Sequence, residues 1–181
     1  MTRIISKVGR MLAVGVVAVG LALSVGSPAS AGAQAAANRV CAKVYVTGSG
    51  WTAEQCANAG QSVSVGAAGG GRAIEAVQMA VAGSKLCVTG YRQGSGWGAE
   101  KCAASGTRIT LGSAGSGLRL EAVIFGVQTG TMCGNSYVQG VGWNPVWYCG
   151  VNGETNAIGT TGQNKRMEAV SFMICRSVES C

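Results

Sequence analysis

The segment that decides the fold reads CGNSYVQGVGWNPVWYCG over residues 133–150 and ends in the strand-like run RMEAVSFMIC over residues 166–175. The same skeleton occurs twice earlier in the chain, around Trp51 and Trp97, and each of these tryptophans lies 46 residues before the next copy. A period in this range is typical of repeat proteins, in which one copy cannot bury its apolar face alone. The sequence therefore predicts three repeats of about 46 residues that share one core.

Each repeat is predicted to consist of short strands joined by turns. Residues 61–65 and 107–111 alternate polar and apolar side chains, which is the pattern of half-buried strands. Each copy then has two glycines three residues apart, as at Gly66 and Gly69, and this spacing indicates a tight turn. No segment after the N-terminal region has the start and stop signals of a helix. With about four strands per repeat, we expect an all-β, pseudo-threefold, β-prism-like assembly, with a β-trefoil as the alternative.

The last strand of each repeat is expected to supply the core. Read at period two, one face of these strands is wholly apolar. Its members are Val77, Met79, Val81, Val123, Phe125, Val127, Val170, Phe172 and Ile174. The same parity places Glu75, Glu121 and Glu168 inward, where a carboxylate needs a partner. We expect an arginine two residues earlier, Arg119 or Arg166, or a tryptophan indole N–H to be that partner.

Residues 1–31 read as a secretory signal peptide. The first ten residues include three basic ones, residues 11–25 are apolar and uncharged, and small residues lead to a cleavage site after Ala31. Cleavage near Ala33 or Ala37, and retention of the segment as an anchor, are the alternatives. We expect a secreted protein, extracellular or associated with the cell wall, with no membrane contact in its mature form.

The remainder of the chain has the length of one domain. We expect a flexible leader over residues 32–39 and a single domain over residues 40–181. The repeats within that domain are predicted at residues 40–85, 86–131 and 132–181.

Charge argues against a nucleic-acid partner. The chain has 14 basic and 7 acidic residues, and removal of the three basic residues in the signal peptide leaves 11 basic residues and a net charge of +4. These charges are scattered, with no basic run or basic helix that could follow a phosphate backbone.

The eight cysteines predict a disulfide framework. All of them follow residue 40, their number is even, and the chain has neither histidine nor a Cys-x-x-Cys motif that would indicate a metal site. Repeat symmetry favours one bridge in each copy and a fourth near the C-terminus. The predicted pairs are Cys41–Cys56, Cys87–Cys102, Cys133–Cys149 and Cys175–Cys181.

The residue inventory argues against an enzyme. Without histidine and aspartate, serine–histidine–aspartate and cysteine–histidine systems are impossible, and calcium sites are disfavoured. Two glutamates could serve glycoside hydrolysis, but the repeated glutamates occupy equivalent positions, which indicates a structural role. We therefore predict no catalytic residue, no cofactor and no metal.

Aromatic residues are the candidate ligand-binding groups. The candidates are Tyr45, Trp51, Tyr91, Trp97, Tyr137, Trp143, Trp147 and Tyr148. In one interpretation the repeated pairs form three equivalent sites that stack on sugar rings. In the other the three repeated tryptophans form a core layer around the axis, with the indole N–H bonded to glutamate. Trp147 and Tyr148 occur only in the third repeat, so they are the better candidates for an exposed contact.

The motifs of the third repeat resemble the ChW repeat, a clostridial hydrophobic repeat with a characteristic tryptophan. The resemblance is carried by Gly142-Trp143, Gly153, residues 159–163 and residues 166–170, and it extends more weakly to both earlier copies. It implies secretion by Gram-positive bacteria and binding at the cell surface or to extracellular polymer. The regular cysteines depart from the usual pattern of the family.

Two functions follow from the sequence. The first is a secreted, multivalent binding module for cell-wall or extracellular polysaccharide. The second is a structural or protein-interaction module of the cell envelope, a secreted accessory or inhibitor protein with a surface protein as its partner.

Overall fold

The computed structural model describes residues 38–177 and Cys181. The predicted signal peptide, and the predicted leader up to residue 37, lie outside the described residues. The described chain is all β: it contains fifteen strands and no helix, as the sequence predicts. It follows that no helix in this part of the chain could span a membrane.

Each repeat contributes five strands rather than about four, because the Gly-Trp pair forms a short strand of its own. The first repeat has β1 (Arg39–Val46), β2 (Gly50–Trp51), β3 (Gln55–Asn58), β4 (Ser62–Gly66) and β5 (Ile74–Ala82). The second has β6 (Leu86–Arg92), β7 (Gly96–Trp97), β8 (Lys101–Ala103), β9 (Ile109–Gly112) and β10 (Leu120–Val127). The third has β11 (Thr131–Val138), β12 (Gly142–Trp143), β13 (Tyr148–Val151), β14 (Asn156–Gly159) and β15 (Met167–Ile174).

These strands form three antiparallel sheets, and each sheet combines two repeats. The first sheet runs β2-β1-β5-β9, the second β7-β6-β10-β14 and the third β12-β11-β15-β4. In addition, β3, β8 and β13 pair with β1, β6 and β11 respectively. The fourth strand of every repeat thus joins the sheet of the preceding repeat, and the first repeat counts as the successor of the third. Three separate sheets related in this cyclic way match the prism-like arrangement.

The core lies between the inner faces of the three sheets. All nine positions predicted from the last strands are buried in one apolar cluster. The rings of Phe125 and Phe172 meet edge to face at its centre, with their centroids 5.5 Å apart. Gly134 makes room for them, since a Cβ atom at this position would lie 2.5 Å from the Cζ atom of Phe125.

The repeated glutamates are buried, and each lies at a β-bulge. In the first sheet Tyr45 pairs with Ala76 and Val46 pairs with Ile74, so Glu75 has no residue opposite it. Glu121 and Glu168 occupy the same bulge position in the other sheets. The bulge interrupts the strand alternation from which an inward direction was predicted. Because of it, the residue before each glutamate can also enter the core.

Arginine neutralises two of these three carboxylates. The Nε atom of Arg119 donates to Glu121 over 3.1 Å, and the Nε atom of Arg166 donates to Glu168 over 3.0 Å. Glu75 instead accepts the backbone N–H of Gly117 in the next repeat. The arginine version of the prediction is therefore confirmed for two copies, and the tryptophan version is wrong.

All four predicted disulfides are present. The three bridges inside repeats join residues that lie directly opposite each other on two antiparallel strands, with Cα atoms 4.0 to 4.1 Å apart. A bridge that closes a loop of this length stabilises the fold by about 3 kcal/mol in the chain-entropy model. None of the four crosses from one repeat to another, so the exchanged strands are held by hydrogen bonds and packing.

Candidate functional site

The three repeated tryptophans lie at the surface. Each ends a two-residue strand after a tight turn, and in the third repeat Gly140 and Gly142 form that turn with φ angles of 71° and 91°. The exposed fractions of Trp51, Trp97 and Trp143 are 39%, 42% and 40%. The interpretation of these rings as a buried layer around the axis is therefore wrong. The side chains that fill the core come from the longer strands.

A tyrosine supports each of these tryptophans from the neighbouring strand. Tyr137 lies directly opposite Trp143, and their rings meet edge to face with centroids 5.9 Å apart. The corresponding distances in the first and second repeats are 5.7 and 5.3 Å. The half-buried tyrosines, which also include Tyr45 and Tyr91, hold the indoles in place. They are less accessible to a ligand than the tryptophans in front of them.

A groove of about 280 Å³ lies beside Trp143 on the outer face of the third sheet. Two indoles, three hydroxyls and one amide line it. The lining residues are Ser62, Ser64, Asn135, Trp143, Trp147 and Ser171. They combine flat apolar surfaces with neutral hydrogen-bonding groups, and none of them titrates near neutral pH.

The connection after Trp143, which is one residue longer in the third repeat, forms one wall of this groove through Trp147. In this connection the side chain of Asn135 holds the backbone: its Nδ2 atom donates to the carbonyls of Asn144 over 2.9 Å and of Val146 over 3.4 Å. Held in this way, Trp147 is 39% exposed. Tyr148, predicted as an exposed contact together with Trp147, is half-buried against the core. Its hydroxyl accepts a hydrogen bond from the Nδ2 atom of Asn144, so it supports the loop.

The floor of the groove is a pair of hydroxyls from two repeats. Ser64 on β4 and Ser171 on β15 are opposite each other in register, and their Oγ atoms are 2.8 Å apart. Ser171 also donates to the carbonyl of Val63 over 3.1 Å. A hydroxyl has one proton, so Ser64 must be the donor between the two serines. The free lone pairs of Ser64 can then accept a hydrogen bond from a ligand.

The equivalent surface of the first sheet is different. Lys43, Gln78 and Thr110 occupy the positions of Asn135, Ser171 and Ser64. The Nζ atom of Lys43 lies 5.1 Å from the ring centroid of Trp51, which is cation–π distance. The Nε2 atom of Gln78 donates to the Oγ1 atom of Thr110 over 3.0 Å. A cation therefore already occupies one face of this tryptophan.

The second sheet presents a mainly apolar surface beside Trp97. Its corresponding positions are Thr89 and Ile124, which are half-buried, and Ala157, which is exposed. Only one of these three side chains can form a hydrogen bond. The pseudo-threefold symmetry of the aromatic pairs therefore does not extend to the side chains around them.

An ion pair joins the connection between β2 and β3 to the residue before β9. Arg108 donates two hydrogen bonds to Glu54, of 2.8 and 2.7 Å. This hydrogen bonding lowers the pKa of Glu54, and the carboxylate in turn raises the pKa of Arg108. The pair is exposed to solvent, so its interaction is screened by salt and contributes little to stability.

Metal ligation has little support among the described residues. Two places bring a glutamate close to a cysteine pair, at Glu54 and at Glu100, and a third brings three cysteines together near the C-terminus. Every sulfur in these groups belongs to a disulfide, and a metal binds the thiolate form of cysteine.

Sequence reasoning missed the polar lining of the groove. Ser62 and Ser64 belong to the first repeat but lie beside Trp143 of the third, because β4 crosses to the third sheet. Their positions along the sequence give no indication of this. A usable signal was the outer face of the strands, where Asn135 and Ser171 differ from the side chains in the other copies.

Comparison with known families supports the resemblance for one repeat. Residues 137–174 match the family described as ChW: Clostridial hydrophobic W. The match covers one copy, and the prediction of three tandem copies is not confirmed by it. No curated protein and no solved structure matches the chain. The disulfides and the family match are compatible with an extracellular location.

Proposed function

We propose that the protein is a secreted, non-catalytic module that binds cell-wall or extracellular polysaccharide. The groove of the third sheet, between Trp143 and Trp147, is its principal site. The observation that carries the proposal is the combination of two indoles, each about 40% exposed, with a floor of serine hydroxyls.

The chemistry of this groove suits a sugar ring. A pyranose has an apolar face that can stack on an indole, and hydroxyls at its edge that both donate and accept hydrogen bonds. Ser64 has lone pairs to accept such a bond, while Ser62 is exposed beside it. Every lining group is neutral, so the groove favours neutral saccharide units over charged ones.

One main site is more consistent with the surroundings of the tryptophans than three equal sites. Lys43 lies over Trp51 in the first sheet, and in the second sheet Ile124 takes the position of Ser171. In those sheets the corresponding loop is one residue shorter and contains no tryptophan. The other two aromatic pairs can still add weak contacts to a long polymer, and through them avidity.

A binding role without catalysis agrees with the groups in the groove. Hydrolysis of a glycosidic bond requires a general acid and a second carboxylate or base. The lining residues of the groove include neither. Secretion is proposed from the N-terminal sequence and from the disulfide framework.

A protein-interaction module is the second candidate function, and one surface favours it. On the second sheet Trp97 and Ala157 are exposed and Ile124 is half-buried, and apolar side chains at a surface can mark a protein contact. This candidate predicts a protein partner and no retention on polysaccharide.

A pull-down on insoluble polymer tests the proposal. The disulfide-bonded protein would be incubated with purified peptidoglycan and with a panel of insoluble polysaccharides, and the free fraction measured. We expect retention on at least one polymer, with an affinity about tenfold lower for Trp143→Ala and for Trp147→Ala. Trp97→Ala is the matched control, because it removes an equally exposed indole outside the groove.

Two outcomes contradict the proposal. If the folded wild-type protein is retained on no polymer, the glycan-binding function is wrong. If Trp97→Ala weakens retention as much as Trp143→Ala, binding does not depend on the groove. Circular dichroism of each variant checks that the fold is intact.

A further inference from the structure

A second cavity lies on the pseudo-threefold axis, at the ends of the sheets where β5, β10 and β15 begin. Its volume is about 280 Å³, and equivalent positions of the repeats line it. Thr47 and Gln93 are equivalent residues on two sides, and an arginine enters from each repeat: Arg72, Arg119 and Arg166. The cavity shares no lining residue with the groove.

Behind these arginines lie the buried glutamates of the bulges, no more than 3% exposed. Arg119 and Arg166 use their Nε atoms to bind Glu121 and Glu168. A further oxygen of Glu168 accepts the backbone N–H of Gly71 in the first repeat over 3.3 Å. These carboxylates are therefore bonded from the protein side, while the arginines line the cavity.

The three arginines differ in how fully they are used. The Nη2 atom of Arg119 donates to the carbonyl oxygen of Asn164 over 3.1 Å and also to its Oδ1 atom. Asn164 has a φ angle of 57°, in the position where the other repeats have Gly71 and Gly117. In the described part of the chain, by contrast, the terminal nitrogens of Arg166 form no hydrogen bond. The Nη2 atom of Arg166 would lie 3.8 Å from a Cβ atom on Gly71, so it reaches the first repeat.

Arg72 carries a charge that the fold does not require. It lies one position before Ala73, the equivalent of Arg119 and Arg166, and so it is out of register with Glu75. Its Nη1 atom donates to the Oγ atom of Ser49, and within residues 38–177 it forms no salt bridge. Nevertheless its side chain lines the same cavity. Arg72 is thus exposed, unpaired with a carboxylate and at the wall of a shared cavity, where its guanidinium group is available to an external anion.

We propose that this axial cavity binds an oxyanion, a phosphate or a carboxylate group, through the terminal guanidinium nitrogens of Arg72 and Arg166. Guanidinium groups match the geometry of such oxygens and bind them with two parallel hydrogen bonds. The cavity is slightly smaller than the roughly 300–1,000 Å³ of sites for drug-sized ligands, so it suits a small ion or one anionic group of a larger molecule. Arg119 stays bound to Asn164 and fixes the third side.

Titration with inorganic phosphate and with acetate, each at ionic strength matched with sodium chloride, tests the proposal. The observable is the set of arginine Nε–Hε signals in a ¹⁵N-labelled sample of the disulfide-bonded protein. We expect saturable shifts of the Arg72 and Arg166 signals with at least one anion, and the comparison of the two anions decides between phosphate and carboxylate. Arg72→Ala should weaken binding about tenfold.

The control is Lys85→Ala, which also removes one exposed positive charge but lies at the opposite end of β6. It should leave the affinity unchanged. Arg72 forms no bond to a buried group, so its removal should preserve the fold, whereas Arg166→Ala would leave the buried carboxylate of Glu168 without its cationic partner. The proposal is overturned if neither anion gives saturable shifts. It is also overturned if Lys85→Ala weakens binding as much as Arg72→Ala, because the effect is then one of net charge.

Discussion

The Oγ atoms of Ser64 and Ser171 lie 2.8 Å apart, although 107 residues separate them in the chain. This contact joins the first repeat to the third, and it forms the floor of the groove next to Trp143. The same two side chains therefore contribute to the closure of the fold and to the surface at which we propose glycan binding. The two serine hydroxyls differ in their hydrogen bonds to the described residues: Ser171 forms two, and Ser64 forms one.

Ser171→Ala should lower the free energy of unfolding by about 1 kcal/mol, because the buried Ser171 hydroxyl bonds both to Val63 and to Ser64. Ser64→Ala should cost less, since the Ser64 side chain is exposed and water can replace its partner. Urea denaturation of both variants measures the difference. Equal losses for the two would contradict the larger contribution assigned to the buried, doubly bonded hydroxyl of Ser171.

Asn135→Ala should release the loop that carries Trp147. The Asn135 amide is buried and binds two carbonyls of that loop, so its loss leaves both without a partner and should cost about 1–3 kcal/mol. The indole N–H signal of Trp147 should shift and narrow as the ring becomes mobile. Thr89→Ala, at the same position of the second sheet, is the control. A Trp147 signal that is unchanged in Asn135→Ala would argue against this role.

Gly112→Ala should destabilise the protein more than Gly94→Ala. The two glycines have nearly the same φ angles, 74° and 72°, so the conformational cost of roughly 1–2 kcal/mol applies to both. At Gly112, however, a Cβ atom would press against the carbonyl oxygen of Glu75 at the bulge, while at Gly94 it would meet no atom within 4 Å. Thermal unfolding of the two variants isolates the steric part. Identical melting temperatures would show that the bulge can yield.

Replacing Cys87 and Cys102 together with serine should cost about 3 kcal/mol, and replacing Cys175 and Cys181 about 2 kcal/mol. The difference follows from sequence separations of 15 and 6 residues, because the longer loop restricts the unfolded chain more. Denaturant unfolding of both double variants tests the order. The reverse order would mean that native-state contacts outweigh loop length.

Arg108→Ala should raise the pKa of Glu54 towards its ordinary value of 4.5, since the hydrogen bond from Arg108 is the main cause of the lowered pKa. A lowered carboxyl pKa gives stability that is present above the ordinary value and is lost as the pH falls through the lowered one. The wild-type protein should therefore be slightly more stable than Arg108→Ala at neutral pH, and the two stabilities should converge in acid. Carboxyl ¹³C shifts report the pKa of Glu54. Arg39→Ala should change it less, because the Arg39 charge makes the weakest contribution.

The sequence predicted the repeat, the all-β class, the disulfide pairs and the inner face of the last strands, because each of these depends on local spacing. It did not predict which sheet β4 would join. The alternating pattern of Val63 and Val65 fits β5 of its own repeat as well as β15 of the third, since those strands carry the same apolar face. The strand exchange is decided by closure of the whole ring.

The site was predicted in part for a related reason. The exposure of Trp147 was expected from its absence in the other copies. The exposure of Trp143 was not decided, because a tryptophan repeated at a fixed period fits a core layer as well as a surface row. The bulge at Glu168 also cannot be read from a pattern of period two, since it is a change of register between strands.

The exchange of fourth strands has a consequence for stoichiometry. Each repeat donates its fourth strand to one neighbouring repeat and accepts a fourth strand from the other. The ring is closed when β4 of the first repeat pairs with the edge of β15 in the third. A single repeat produced as a separate peptide would have both a free strand and a free edge. Three such peptides could satisfy one another as a homotrimer, while two joined repeats would leave one donor strand and one acceptor edge available to another chain.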